Sequence, residues 1–164
     1  MDYKGDCHPG NILLMDNSRL RSQLPYKLGL IDYGQVKQLT KDQRLLMCKL
    51  IIALANEDKE KVVELTAKTG YRSKYMDKDN TYLYSKISFD EDNNKITNGV
   101  HIQEFLESLD ETDPVENLAK DFIMISRVTI LLRGLAHALL QGRSVAKAWK
   151  PIAERVLKQE DDVR

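Results

Sequence analysis

DCHPGNILLM (residues 6–15) and KLGLIDYGQVKQL (residues 27–39) are the stretches that decide how this chain is read. Residues 12–15 and 27–31 are short apolar runs, and DNSRLRSQLPY between them is polar, with turn formers and one proline. Such runs predict the two strands of a small hairpin whose connection is longer than a tight turn. Each run carries polar punctuation at one end, Asn11 before the first and Asp32 after the second. In an antiparallel pair the start of one strand lies beside the end of the other. Asn11 and Asp32 are then expected to meet, with Asp6 above them across the Pro-Gly turn.

That meeting would gather a carboxylate, an amide oxygen and a second carboxylate. Hard oxygen donors suit magnesium, which retains waters and completes its shell with nucleotide phosphates. A further acidic group just outside the metal's shell can orient or deprotonate an incoming hydroxyl. The arrangement suggests phosphoryl transfer or phosphate hydrolysis, with Gly34 letting the chain turn sharply after Asp32. The plain alternative stays open at this point, because Asp, His, Pro, Gly and Asn are also ordinary turn residues.

Outward from the hairpin the period becomes helical. Thr40 and Gln43 form a capping box, and Leu46, Leu50, Ala53 and Leu54 recur at helical spacing. A second helix is expected after Asp58, built on Val62, Val63 and Leu65 and stopped by Gly70. Residues 71–100 carry no clear period; YLYSKISF reads equally as a strand or a half-buried helix. Ile102, Phe105, Leu106 and Leu109 predict a short amphipathic helix. Asp113, Pro114 and Glu116 form a cap pattern that predicts a long central helix from there to Gln141, ended by Gly142. Ser144 is expected to cap a last helix, kinked at Pro151, with Trp149 in its packing corner and a fraying tail from Gln159.

Composition bounds the function. The chain has 164 residues, with 25 basic and 25 acidic side chains and a formal net charge of zero, which gives no electrostatic case for nucleic acid. Cys7 and Cys48 are too few for a disulfide scaffold, and His8, His101 and His137 stand too far apart for a structural zinc site. No apolar stretch reaches the roughly 20 residues that a bilayer crossing needs. Arg127 and Arg133 punctuate the central helix, either pairing with acids of the same domain or lying at its surface.

DCHPGN followed by LIDYG resembles the catalytic and metal-binding loops of protein-kinase-like enzymes, and most closely those of the UbiB/ADCK (aarF, ABC1-type) atypical kinases. RVTILLRGLAHALLQGRSVAKAWKPIAERVL is similar to that family's closing helices. The resemblance implies a mainly α fold: a kinase-like C-terminal lobe over residues 1–158 with a small β-hairpin at the site, a flexible tail over 159–164, and no N-terminal lobe. It implies that Asp6 is the catalytic aspartate, Asn11 and Asp32 the magnesium and nucleotide ligands, Tyr33 the counterpart of the usual Phe, and His8, Pro9 and Gly10 the residues that shape the loop. Mg2+ and ATP are the implied cofactors. Lys4 stands where the family usually has His, and Cys7 where it has Pro.

The resemblance further implies a role in ubiquinone or prenyl-quinone lipid metabolism. Expected partners are the missing N-terminal lobe, lipid or quinone-biosynthesis proteins, and a membrane surface bound peripherally. The implied location is the mitochondrion or plastid in a eukaryote and the cytoplasmic face of the membrane in a bacterium. Without a nucleotide-holding lobe the chain alone is expected to be inactive, because phosphoryl transfer depends on positioning. Two other readings compete: a non-catalytic, pseudokinase-like helical module binding a protein or lipid, and an unrelated magnesium-dependent phosphohydrolase active from these 164 residues alone.

Overall fold

A computed structural model describes residues 2–4, 7–16, 26–32 and 35–162. The hairpin forms as its apolar runs predict. Strand β2 (Ile12–Asp16) pairs antiparallel with β3 (Tyr26–Leu30), with Ile12 opposite Leu30 and Asp16 opposite Tyr26. A second ladder, which the sequence does not announce, flanks the first: β1 (Asp2–Lys4) pairs antiparallel with β4 (Val36–Gln38), Lys4 opposite Val36. The chain therefore passes between the two ladders twice, before β2 and after β3.

The chain turns directly from β4 into α1 (Lys41–Ala55). Thr40 Oγ1 accepts from the Gln43 backbone N–H at 3.2 Å while Gln43 Oε1 accepts from the Thr40 N–H at 3.0 Å, the reciprocal box expected from their spacing. Helix α2 (Lys59–Lys68) is capped by Asp58 and followed by Gly70 at φ +96°, a left-handed turn that glycine adopts without strain. Leu50, Leu54, Val62 and Ala146 are fully buried, and α1 lies against α2 and against α6 (Val145–Asp161) to form the centre of the core. Each leucine so buried contributes about 1.5–3 kcal/mol. Trp149 packs against this cluster from its edge, and Pro151 lies inside α6 as expected.

Part of the stretch without a clear period turns out helical. Helix α3 (Lys78–Phe89) resolves the ambiguity of YLYSKISF, and α4 (Ile102–Thr112) follows with His101 Nδ1 accepting at its start from the Gln103 N–H. The expected helix start at Asp113 is corrected. Asp113 instead ends α4, Val115–Asn117 form strand β6 against β5 (Arg72–Ser73), and α5 runs only over Lys120–Ala138. The reason is that the Asp113 carboxylate serves distant groups, accepting from Ser73 Oγ and from the backbone N–H groups of Tyr75 and Asp77.

Ser144 caps α6 as expected, its Oγ accepting from the Lys147 N–H at 3.0 Å. The fraying tail expected from Gln159 is corrected for its first residues. Helix α6 continues to Asp161, and Glu160 is held by Lys41 and Arg44 of α1. The fold is thus mainly helical with small antiparallel ladders. Among the described residues no helix is long and apolar enough to cross a membrane.

Candidate functional site

The loop after β1 is shaped by local chemistry. Pro9 opens a 3-10 turn, Pro9–Asn11, its fixed φ suiting the first position. His8 caps that turn, its Nδ1 accepting from the Gly10 N–H at 3.0 Å and its carbonyl from the Asn11 N–H at 2.9 Å. A Cβ on Gly10 would stand 2.8 Å from His8 Cε1, so the ring lies where only a hydrogen leaves room. Gly10→Ala should push the ring away and break its bond to the backbone. At about 1 kcal/mol for that bond, the variant should lose about that much stability, checked by urea unfolding beside the wild type.

Asn11 is buried, with 6% of its surface exposed. Its carbonyl accepts from the Ile31 N–H at 3.1 Å, one step beyond the Ile12–Leu30 pair. The antiparallel register thus sets Asn11 beside Ile31, the residue before Asp32. Asp32 is exposed and takes a left-handed conformation at φ +58°. Side chains other than glycine disfavour that region, Asp and Asn least, and residues held there against preference recur at active sites. Gln35 then ties this loop to the helical body, its Oε1 accepting from Arg127 Nη1 of α5 at 3.0 Å.

Asp6, Tyr33 and Gly34 lie outside the described residues. The described donors are the amide oxygen of Asn11 and the carboxylate of Asp32. Among the described residues no three His, Cys, Asp or Glu side chains gather as a metal cluster. One amide and one carboxylate nevertheless fit magnesium, which is held by one or two carboxylates and keeps waters and phosphate oxygens for its remaining positions. Such an ion would neutralise charge on a bound nucleotide's phosphates.

Cys7, next to Asp6, is half-buried and lines an apolar cavity together with Cys48 of α1. Neither is in a disulfide; burial pushes the Cys48 thiol up and the Arg44 guanidinium partly opposes it. His101 serves as a helix cap, and His137 lies exposed 3.7 Å from Asp92, so neither joins the site. Sequence reasoning missed the β1–β4 ladder and the Gln35–Arg127 tie. Three-residue strands carry too little alternation to be recognised, and a bond between residues 92 positions apart leaves no local pattern.

Residues 3–66, which include both loops and α1, match the ABC1 atypical kinase-like domain. Over 135 residues the chain is 22% identical to an uncharacterized protein in the hydrogenase 1 5' region of Clostridium pasteurianum, covering 81% of this chain and 24% of that protein. Over 69 residues it is 38% identical to a probable protein kinase UbiB of Photorhabdus laumondii, covering 42% of this chain and 12% of that one. The chain therefore spans about a quarter of the length of the first relative and about an eighth of the second. No solved structure gives a significant match.

Proposed function

We propose, from the premise that residues 3–66 of this chain belong to the ABC1 atypical kinase-like family, that it supplies the magnesium and phosphate side of a nucleotide site. The observation that carries this reading is the Ile31 N–H bond to the Asn11 carbonyl where the chain passes between two antiparallel ladders, which brings Asn11 beside the residue before Asp32. In it, Asn11 and Asp32 hold Mg2+ on ATP phosphates, and Asp6 orients or deprotonates the group that attacks. The reaction is ATP hydrolysis or phosphotransfer in the full-length protein, in support of quinone-lipid metabolism at a membrane surface.

The surface of the hairpin supports a covering lobe. Leu13, Leu14, Met15, Leu28, Leu30 and Ile31 are all at least 42% exposed. Because neighbouring side chains on a strand point to opposite faces, apolar surface is presented on both sides of the hairpin. A two-stranded hairpin so exposed is marginal by itself, and contiguous apolar patches of this kind mark contact surfaces. In this reading a second lobe lies over it and closes the nucleotide site.

Asp32→Asn tests the metal role cleanly, because Asn tolerates the left-handed backbone about as well as Asp while lacking the charge. Magnesium-dependent ATP binding by the full-length protein should weaken at least about tenfold, and turnover should be lost. Equal affinity and equal turnover in the variant would remove Asp32 from the site. Cys7 and Lys4, which depart from the family's Pro and His, favour a second reading as a non-catalytic module. That reading takes over if the wild type, with its full length, binds no nucleotide.

A further inference from the structure

An apolar cavity of about 340 Å³ lies between the helices and the site loop. Cys48 and Ile51 of α1, Val128 of α5, Trp149 and Ala153 of α6, and Cys7 beside the site contribute to its wall. Two further lining residues reach solvent. Ile152 is 53% exposed and the Arg44 side chain 30% exposed, so the cavity opens at the α1–α6 seam.

Size and chemistry narrow what fits. Small-molecule pockets span about 300–1,000 Å³ and are mostly apolar with a few placed polar groups. An engineered apolar cavity of about 150 Å³ admits benzene, so this one has room for roughly a dozen carbons. A helix, about 10 Å across with its side chains, is too thick for it. Water finds few partners on such walls, and an apolar void of this size is costly to leave empty.

Arg44 is the charge that stands nearest to this apolar wall. It is the only charged residue among the described lining residues. Its guanidinium makes a long contact, 3.4 Å, with Glu160, which Lys41 also holds. A partly exposed arginine retains unused donors in its planar fork, and carboxylates match that fork.

We propose that this cavity binds a free medium-chain amphiphile, its aliphatic tail among α1, α5 and α6 and its carboxylate on Arg44. A flexible tail suits an irregular wall assembled from separate segments. Because Cys7 is in that wall, an occupant also packs against the segment that leads into the Pro9–Asn11 turn. The proposal stands on the cavity alone and does not require the kinase reading.

Decanoate and 1-decanol, each titrated calorimetrically into the 164-residue chain below its micelle concentration, test it. Decanoate should bind saturably at one site, more tightly than 1-decanol, and slow alkylation of Cys48 by iodoacetamide at least about fivefold. Arg44→Gln should weaken decanoate about tenfold while leaving 1-decanol within about twofold. Ile152→Glu, at a half-exposed position that keeps the fold by circular dichroism, should weaken both. Absence of saturable decanoate binding to the wild type overturns the proposal, as does binding that Ile152→Glu leaves unchanged. If 1-decanol binds as tightly as decanoate, the assignment of Arg44 falls.

Discussion

Arg133→Ala should destabilise the chain by about 3–5 kcal/mol, the cost of breaking a buried ion pair from one side. Arg133 is 4% exposed on α5. Its Nη1 donates to the Ile87 carbonyl at 2.7 Å, and its Nε lies 3.0 Å from Asp92 Oδ1. Burial pushes the guanidinium's pKa down while Asp92 and Asp90 oppose that shift, and an arginine starting from so high a value stays charged. Alanine would leave a buried carbonyl without its donor and a cavity where the stem packed.

The same network makes the loss cooperative. Asp90, 1% exposed, accepts from Ser144 Oγ and the Ala146 N–H at the start of α6, and its other oxygen lies 3.8 Å from Lys86 Nζ. Lys86 also lies 3.3 Å from Glu91. Three helices therefore meet at one charged cluster after α3. Against a total stability of about 5–15 kcal/mol, the loss should lower the melting temperature by roughly 10 °C. Arg133→Met, which keeps volume and lets the partly exposed Asp92 turn to water, should lose about half as much. A shift below about 1 kcal/mol for the alanine variant would show that the pair holds nothing in place.

Where the signal is local, the sequence is readable. The Thr40–Gln43 box, the Asp58 cap with Gly70, and Ser144 each involve residues a few positions apart, and α1, α2 and α6 start where these residues stand. The β2–β3 pairing was legible for a related reason, because apolar runs with a polar residue at one end of each define both strands. Helix α3 was not legible, because Ser85, Lys86 and Ser88 are buried on it and interrupt the apolar period. Such burial is permitted by partners far away: Thr66 Oγ1 and Ser85 Oγ lie 2.6 Å apart across α2 and α3. The cavity has no sequence signature at all, since its wall is drawn from the site loop and three helices.

Asp113→Ala should cost about 3–4 kcal/mol, and the reason is the one that misled the reading of α5. Local pattern makes Asp113 a helix cap, but its carboxylate is 36 to 40 positions away from the groups it serves. Ser73 Oγ donates to it at 2.7 Å, the Tyr75 N–H at 2.7 Å and the Asp77 N–H at 2.9 Å, and Asp77 in turn caps α3. Hydrogen bonds to a charged group are worth about 1.5–3 kcal/mol each and do not add fully when they act as a unit. Burial pushes the Asp113 carboxyl's pKa up, yet the bonds from Ser73, Tyr75 and Asp77 outweigh it and hold it below the ordinary value. The sign of the pH dependence follows. A carboxyl whose folded pKa is lowered contributes stability that is fully present above its unfolded value, about 3.9, and is lost as pH falls through the lower folded value. Asp113→Asn keeps one acceptor and removes the charge, so it should cost less, about 2 kcal/mol at pH 6. The gap between it and the wild type in urea unfolding should then close as the pH falls below about 4. A gap of constant size down to pH 2 would mean that the three donors respond to the shape of the side chain and not to its charge.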